Sequence, residues 1–120
     1  MSEQSFPRRV RLRTASEFSR VIGSGRVVAD DCLVLHLARS STPTLRLGVS
    51  IPKRTGHAPC RNRWKRLIRE AFRRQQTVLP VGWDLVVRPR RGARCDYARI
   101  ARSLANLARR GTRLEQEPTP

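Results

Sequence analysis

Residues 60–74 read CRNRWKRLIREAFRR: seven of the fifteen are Arg or Lys, and only Glu70 is acidic. Cationic groups this dense suit phosphate chemistry. Arginine in particular presents a planar fork of donors that matches phosphate oxygens and stacks on bases. Apolar residues recur within the same stretch at Trp64, Leu67, Ile68, Ala71 and Phe72, the spacing of a helix with one buried face. With Trp64 at zero and ~100° per residue, the other four fall within about 80° of it. Asn62, Arg66, Arg69 and Arg73 then line up on the opposite face. Lys65 and Arg61 flank that line on one side; Arg63, Glu70 and Arg74 flank it on the other. Glu70 and Arg74 form an i, i+4 pair worth ~0.2–0.5 kcal/mol. A solvated polar face is the plain alternative. Against it, Arg66, Arg69 and Arg73 are like charges at three- and four-residue spacing, a repulsion of similar size per pair unless an anion intervenes. A helix serving solubility alone would mix signs. The pattern points to a face that meets nucleic acid.

Catalysis by the chain itself has little to work with. Magnesium would need clustered oxygen ligands, yet the nine acids are scattered and Asp30-Asp31 is the one adjacent pair. No Ser/His/Asp arrangement and no phosphate-cradling Gly-rich loop appears. Cys32, Cys60 and Cys95 are far apart with no C-x-x-C pair, so zinc is not indicated and reduced thiols acting as small apolar residues are expected. His57 is a loop histidine with no ligating neighbour. No catalytic residue and no protein metal site is expected.

The whole chain repeats the charge signal. Its 120 residues carry 26 Lys plus Arg against 9 Asp plus Glu, a formal charge of +17. Lys53 and Lys65 are the only lysines. Self-repulsion at this charge opposes compaction and favours a polyanionic partner. No apolar run approaches the ~20 residues of a membrane span, and MSEQSFPRRV lacks a signal-peptide core. A cytoplasmic protein with no membrane partner is expected.

The elements that must position these residues are short. TASEFSRVIGSG reads as a first helix: Thr14 and Glu17 form a capping box, Phe18, Val21 and Ile22 make one apolar face, and Gly23 or Gly25 ends it in the left-handed conformation. VVA at 27–29 adds a short strand. DCLVLHLA alternates, with Leu33, Leu35 and Leu37 on one face and Cys32, Val34 and His36 on the other. LRLGVSI alternates again, with Leu45, Leu47, Val49 and Ile51 opposite Arg46, Gly48 and Ser50. RSSTPT between them suggests an antiparallel hairpin. PKRTGHAP is a loop broken by Pro52, Gly56 and Pro59, and the cationic helix follows over about 61–76. DLVVR at 84–88 is an interior strand, and PRRGARC is a second basic loop. Asp96 caps a last helix with Tyr97, Ile100, Leu104 and Leu107 on one face and Gly111 at its end. The result is an α+β domain over residues 11–111, of order α-β-β-β-α-β-α, with helices on a four-stranded sheet. Residues 1–10 form a flexible basic lead-in and 112–120 a flexible tail.

RNRWKRLIREAFR at 61–73 resembles the RNR motif of the bacterial ribonuclease P protein subunit. RLRTASEFSRVIGSG, RLGVSIPKRTGHAPCRNR and GWDLVVRPR are similar to the family's flanking segments, and the resemblance spans about residues 8–110. It implies a left-handed β-α-β crossover through the cationic helix. It implies that the chain joins a catalytic RNA, which performs the chemistry with Mg²⁺ held mainly by the RNA. Together they remove the 5′ leader from precursor tRNA; no protein partner is implied. Arg61, Asn62, Arg63, Lys65, Arg66, Arg69 and Arg73 match the motif and would meet RNA backbone. Lys53 and Arg54 match paired basic residues before it. Phe18 matches an aromatic lining a cleft for the single-stranded leader. Ile22 and His36 stand in that cleft where the family favours aromatics, and Pro52 and Cys60 also depart from its pattern. A ribosomal or other structural RNA-binding protein is the alternative with the same charge and helix, and a nuclease acting without RNA is a second.

Overall fold

The computed structural model describes residues 10–116; residues 1–9 of the lead-in expected over 1–10 and residues 117–120 of the tail expected over 112–120 lie outside the described residues. Helix α1 (Ala15–Ser24) is followed by β1 (Arg26–Ala29), β2 (Leu33–Arg39), β3 (Arg46–Val49), α2 (Ala58–Gln75), β4 (Trp83–Pro89) and α3 (Tyr97–Gln116). The order α-β-β-β-α-β-α is the one the sequence implies.

The strands lie in the order β1-β2-β4-β3. The hairpin is β1–β2, closed by Asp30, whose carboxylate accepts from the backbone N–H groups of Cys32 and Leu33 at 2.8 and 2.9 Å. The hairpin expected between β2 and β3 does not form. β4 inserts between them, antiparallel to β2 and parallel to β3. The physical reason lies in β4 itself: Leu85 and Val87 bury on one sheet face and Val86 on the other. Such a strand is most stable at the centre, with both faces covered and both backbone edges paired. The link from β3 to β4 is then a parallel crossover through α2.

The two faces of the sheet differ. Leu33, Leu35, Leu37, Leu47, Leu85 and Val87 face α2 and α3 and join Trp64, Ile68, Phe72, Ile100 and Leu104 in the main core. Helix α1 covers the other face, where Val21, Leu12 and Val86 form a smaller cluster with Phe18 against it. The alternation read for β3 holds. In β2 it holds from Leu33 onward, but Cys32 is buried with the leucines, because the Asp30 turn breaks the alternation before the strand begins. The free β3 edge is covered in part by Arg11, bridged in parallel to Leu47, with Leu12 N–H donating to the Leu47 carbonyl at 3.0 Å. Val10, assigned by the sequence to the lead-in, is already buried in the main core.

Two glycines act by close approach rather than by freedom of turn. Gly25 caps α1 in an extended conformation (φ −89°, ψ 179°), not a left-handed one. A Cβ there would collide with the carbonyl oxygens of Val21 and Leu37. Gly111 does not end α3. The helix continues to Gln116, past the boundary at 111 read from the sequence, and a Cβ on Gly111 would enter the Leu37 side chain. The helix lies on β2 at a distance only glycine allows.

Candidate nucleic-acid interface

Helix α2 begins one turn earlier than its charge pattern suggested, at Ala58, with Pro59 in the first turn where a missing N–H costs nothing. Trp64, Ile68, Ala71 and Phe72 are buried and Leu67 packs at their edge. Trp64 is 2% exposed, so it belongs to the core as its angle implied. The basic loop before the helix is an ordered 3-10 turn, Lys53–Thr55, closed by Thr55 N–H to the Pro52 carbonyl at 3.0 Å, with Lys53 and Arg54 exposed. Gly56 follows at φ +151°, a value that favours glycine, and its carbonyl accepts from Arg61 Nε at 3.1 Å. That bond ties the first motif arginine back onto the loop.

The outer face of α2 is as angle predicted for most of its length. Asn62, Arg63, Arg66 and Arg69 are exposed, and Arg61 and Lys65 are half-buried. Arg73 departs from the row. It pairs with Glu70, its side chain is 12% exposed, and its Nη1 is buried without a partner among the described residues. Glu70 also accepts from Arg74 Nε at 2.8 Å. Hydrogen bonds from Arg73, then Arg74, hold the Glu70 carboxyl below its usual range. The cationic row is thus strongest at its N-terminal two-thirds. Arg69 is pushed below its ordinary pKa by burial and then by the charge of Arg11, which places Arg11 beside the row. Helical periodicity could not reveal Arg11, because it joins through the sheet edge from 58 residues away in sequence.

The leader-cleft candidates lie on the other face of the sheet. Register places Val27, His36, Val86 and Gly48 in one line across all four strands. Phe18 lies on Gly48 so closely that a Cβ there would sit 2.6 Å from Phe18 Cζ. Ile22, one turn further along α1, is 45% exposed, and Val27 is 56% exposed. His36 is half-buried; burial, then the neighbouring Arg88, lowers its pKa and favours the neutral ring. The structure therefore brings Phe18, Ile22 and His36 to one surface, with an apolar floor and Arg88 on β4 as a cation the sequence reading did not single out. The helix row and this surface approach β3 from opposite faces.

A buried ion network fixes α1 over that surface. Asp84 on β4 is fully buried and accepts from Arg46 Nε at 2.8 Å and Nη2 at 2.7 Å. Arg20 of α1 also pairs with Asp84, and Arg46 Nη1 reaches Glu17 of α1 at 3.0 Å. Two strands and the helix are clamped through one carboxylate. Nothing local in the sequence marks Asp84, whose partners lie 38 and 64 residues away.

No three His, Cys, Asp or Glu side chains among the described residues cluster where they could hold a metal ion. These residues do not fit an all-protein magnesium site. Among the described residues no helix is long and apolar enough to cross a membrane.

Fold and surface together define a small, strongly basic α+β domain in which a parallel β-α-β crossover presents a cationic helix. The family model described as Ribonuclease P matches residues 6–111. The chain is 34% identical over 112 residues to the ribonuclease P protein component of Thermotoga maritima, covering 89% of this chain and 96% of that one. Against the Brevibacillus brevis component it is 36% identical over 110 residues, covering 90% and 87%. The solved T. maritima RNase P protein superposes with a TM-score of 0.77 at 32% identity, over 83% of this chain and 96% of that one. The Staphylococcus aureus protein gives 0.75 at 27%, over 89% and 95%. The chain belongs to the ribonuclease P protein family.

Proposed function

We propose that the chain serves as the protein subunit of ribonuclease P in the cytoplasm, binding a catalytic RNA and the 5′ leader of precursor tRNA and assisting removal of that leader. The observation that carries this reading is the exposed row of Asn62, Arg63, Arg66 and Arg69 on a helix whose opposite side is locked into the core. A rigid row loses little conformational freedom when it meets a phosphate backbone. Arg61, Lys65 and the Lys53–Arg54 turn extend it, and Arg73 joins it by exchanging Glu70 for a phosphate. The surface of Phe18, Ile22 and His36 receives the single-stranded leader, with Phe18 and the neutral His36 ring as stacking partners.

On this reading the RNA carries out phosphodiester hydrolysis and holds the Mg²⁺ that it uses. The protein's part is positioning and charge neutralisation, for which its residues suffice. The test is reconstitution: the chain is added to a bacterial ribonuclease P RNA transcript and precursor tRNA at limiting Mg²⁺. Faster leader removal is expected. RNA binding without any stimulation would overturn the proposal in favour of a purely structural RNA-binding protein, and cleavage by the chain without RNA would make it a nuclease itself.

A further inference from the structure

The basic loop PRRGARC between β4 and α3 is not used by either surface described above. It is a built turn. Ala93 N–H donates to the Arg90 carbonyl at 2.9 Å, and Gly92 takes φ +81°, the left-handed value that the third position of a type II turn requires. Arg90 N–H donates to the Cys32 carbonyl at 2.9 Å and its guanidinium to the Asp30 carbonyl at 3.1 Å, tying the turn to the β1–β2 hairpin. Arg91 is left at the tip, exposed, with Arg94 exposed three residues on. Neither has an ion-pair partner among the described residues.

Across from this turn lies the start of the cationic helix. A cleft of about 380 Å³ separates them, lined by Arg54 and Cys60 on one wall and by Arg90, Arg91 and Cys95 on the other. Among the described residues no acidic one lines it. Asp30, Asp31 and Asp96 line a different hollow, with Arg99 and Arg102. Burial raises the pKa of the Cys95 thiol in this loop, and the charges of Arg63 and Arg66 on α2 act against that shift. Two ordered turns thus bring the guanidinium groups of Arg54 and Arg91 to one cleft that no acidic residue lines among the described residues. Such an arrangement suits a polyanion that passes between the walls, and the forks of arginine suit phosphodiester oxygens.

We propose that the β4–α3 turn is a second RNA-binding element, in which Arg91 on the wall of the cleft, together with Arg94 exposed three residues on, grips the phosphodiester backbone of the folded RNA across from Arg54 and α2. This rests on the reading of α2 as an RNA interface. The test measures affinity of the full chain for a bacterial ribonuclease P RNA transcript across a salt series. Arg91→Ala/Arg94→Ala is expected to weaken binding and to reduce the steepness of log K against log[salt] by about 1.4–1.8, at roughly 0.7–0.9 per phosphate contact. Arg109→Ala/Arg113→Ala, removing two exposed arginines from the far part of α3, is the matched control and should change the slope little. Circular dichroism melts confirm that the variants fold. An unchanged slope in the Arg91/Arg94 variant, or an equal loss in the control, would overturn the proposal. Arg66→Glu/Arg69→Glu is run beside them. If that variant alone leaves binding unchanged, the reading of α2 fails while the turn stands.

Discussion

Single side chains here divide into those that meet the partner and those that hold others in place. On the proposed function Phe18 does both, because it lies closely over Gly48 and still borders the open surface beside Ile22. Phe18→Ala is expected to weaken binding of leader-bearing precursor by about 1–3 kcal/mol, the size of one base–aromatic stacking contact, while affinity for mature tRNA changes less. Equal losses for both RNAs, with the fold intact by circular dichroism, would make Phe18 a packing residue only. Asp84 belongs wholly to the second group. Removing one partner of a buried pair costs ~3–5 kcal/mol when the other charge is stranded. Arg46 keeps Glu17 and is 20% exposed, so Asp84→Ala should fall toward the lower end of that range. Chemical denaturation would measure it, and a loss below about 1 kcal/mol would mean that water replaces the carboxylate freely.

At the scale of elements, α1 depends on its cap. Glu17 accepts from the backbone N–H groups of Arg13 and Thr14, at 2.9 and 3.1 Å, and Thr14 Oγ1 accepts from Glu17 N–H at 3.1 Å. Those bonds, Arg13's first, lower the Glu17 pKa to about 2 from 4.5, with Arg46 assisting. A carboxyl whose pKa is depressed by folding stabilises above its unfolded pKa and loses that contribution as pH falls through the folded one. Stability from this cap should therefore be complete above about pH 4.5 and decline toward pH 2. Glu17→Gln should flatten that part of the stability-versus-pH curve; an identical acid slope in both proteins would assign the loss to other carboxylates. Helix α2 has no such device. Its N-cap His57 makes no side-chain capping bond, and its placement comes from Pro59 and from the packing of Trp64, Ile68 and Phe72.

Across the whole molecule, what the sequence revealed followed from period and charge. The angle of each residue around α2 separated Trp64 from Arg66 correctly, and the Thr14–Glu17 spacing marked the start of α1. Alternation assigned Leu47 and Gly48 to opposite faces of β3. Alternation says nothing about which strand lies next door, so the insertion of β4 between β2 and β3 was hidden. Gly111 looked like a helix end because its real constraint, the Leu37 side chain, is 74 residues away. Arg11, Asp84 and the Arg90–Ala93 turn take their places only through tertiary contacts. Charge composition pointed to a polyanion, but it could not show that the cations stand on two faces and across a cleft.

The direct measurement of the cationic-helix account is the salt dependence of affinity for a bacterial ribonuclease P RNA transcript, compared between the unaltered chain and Arg66→Glu/Arg69→Glu. If both arginines meet phosphates, the variant binds more weakly and its slope is shallower by at least about 1.4. A variant that folds normally and keeps the slope of the unaltered chain would contradict the account by removing the outer face of α2 from the interface.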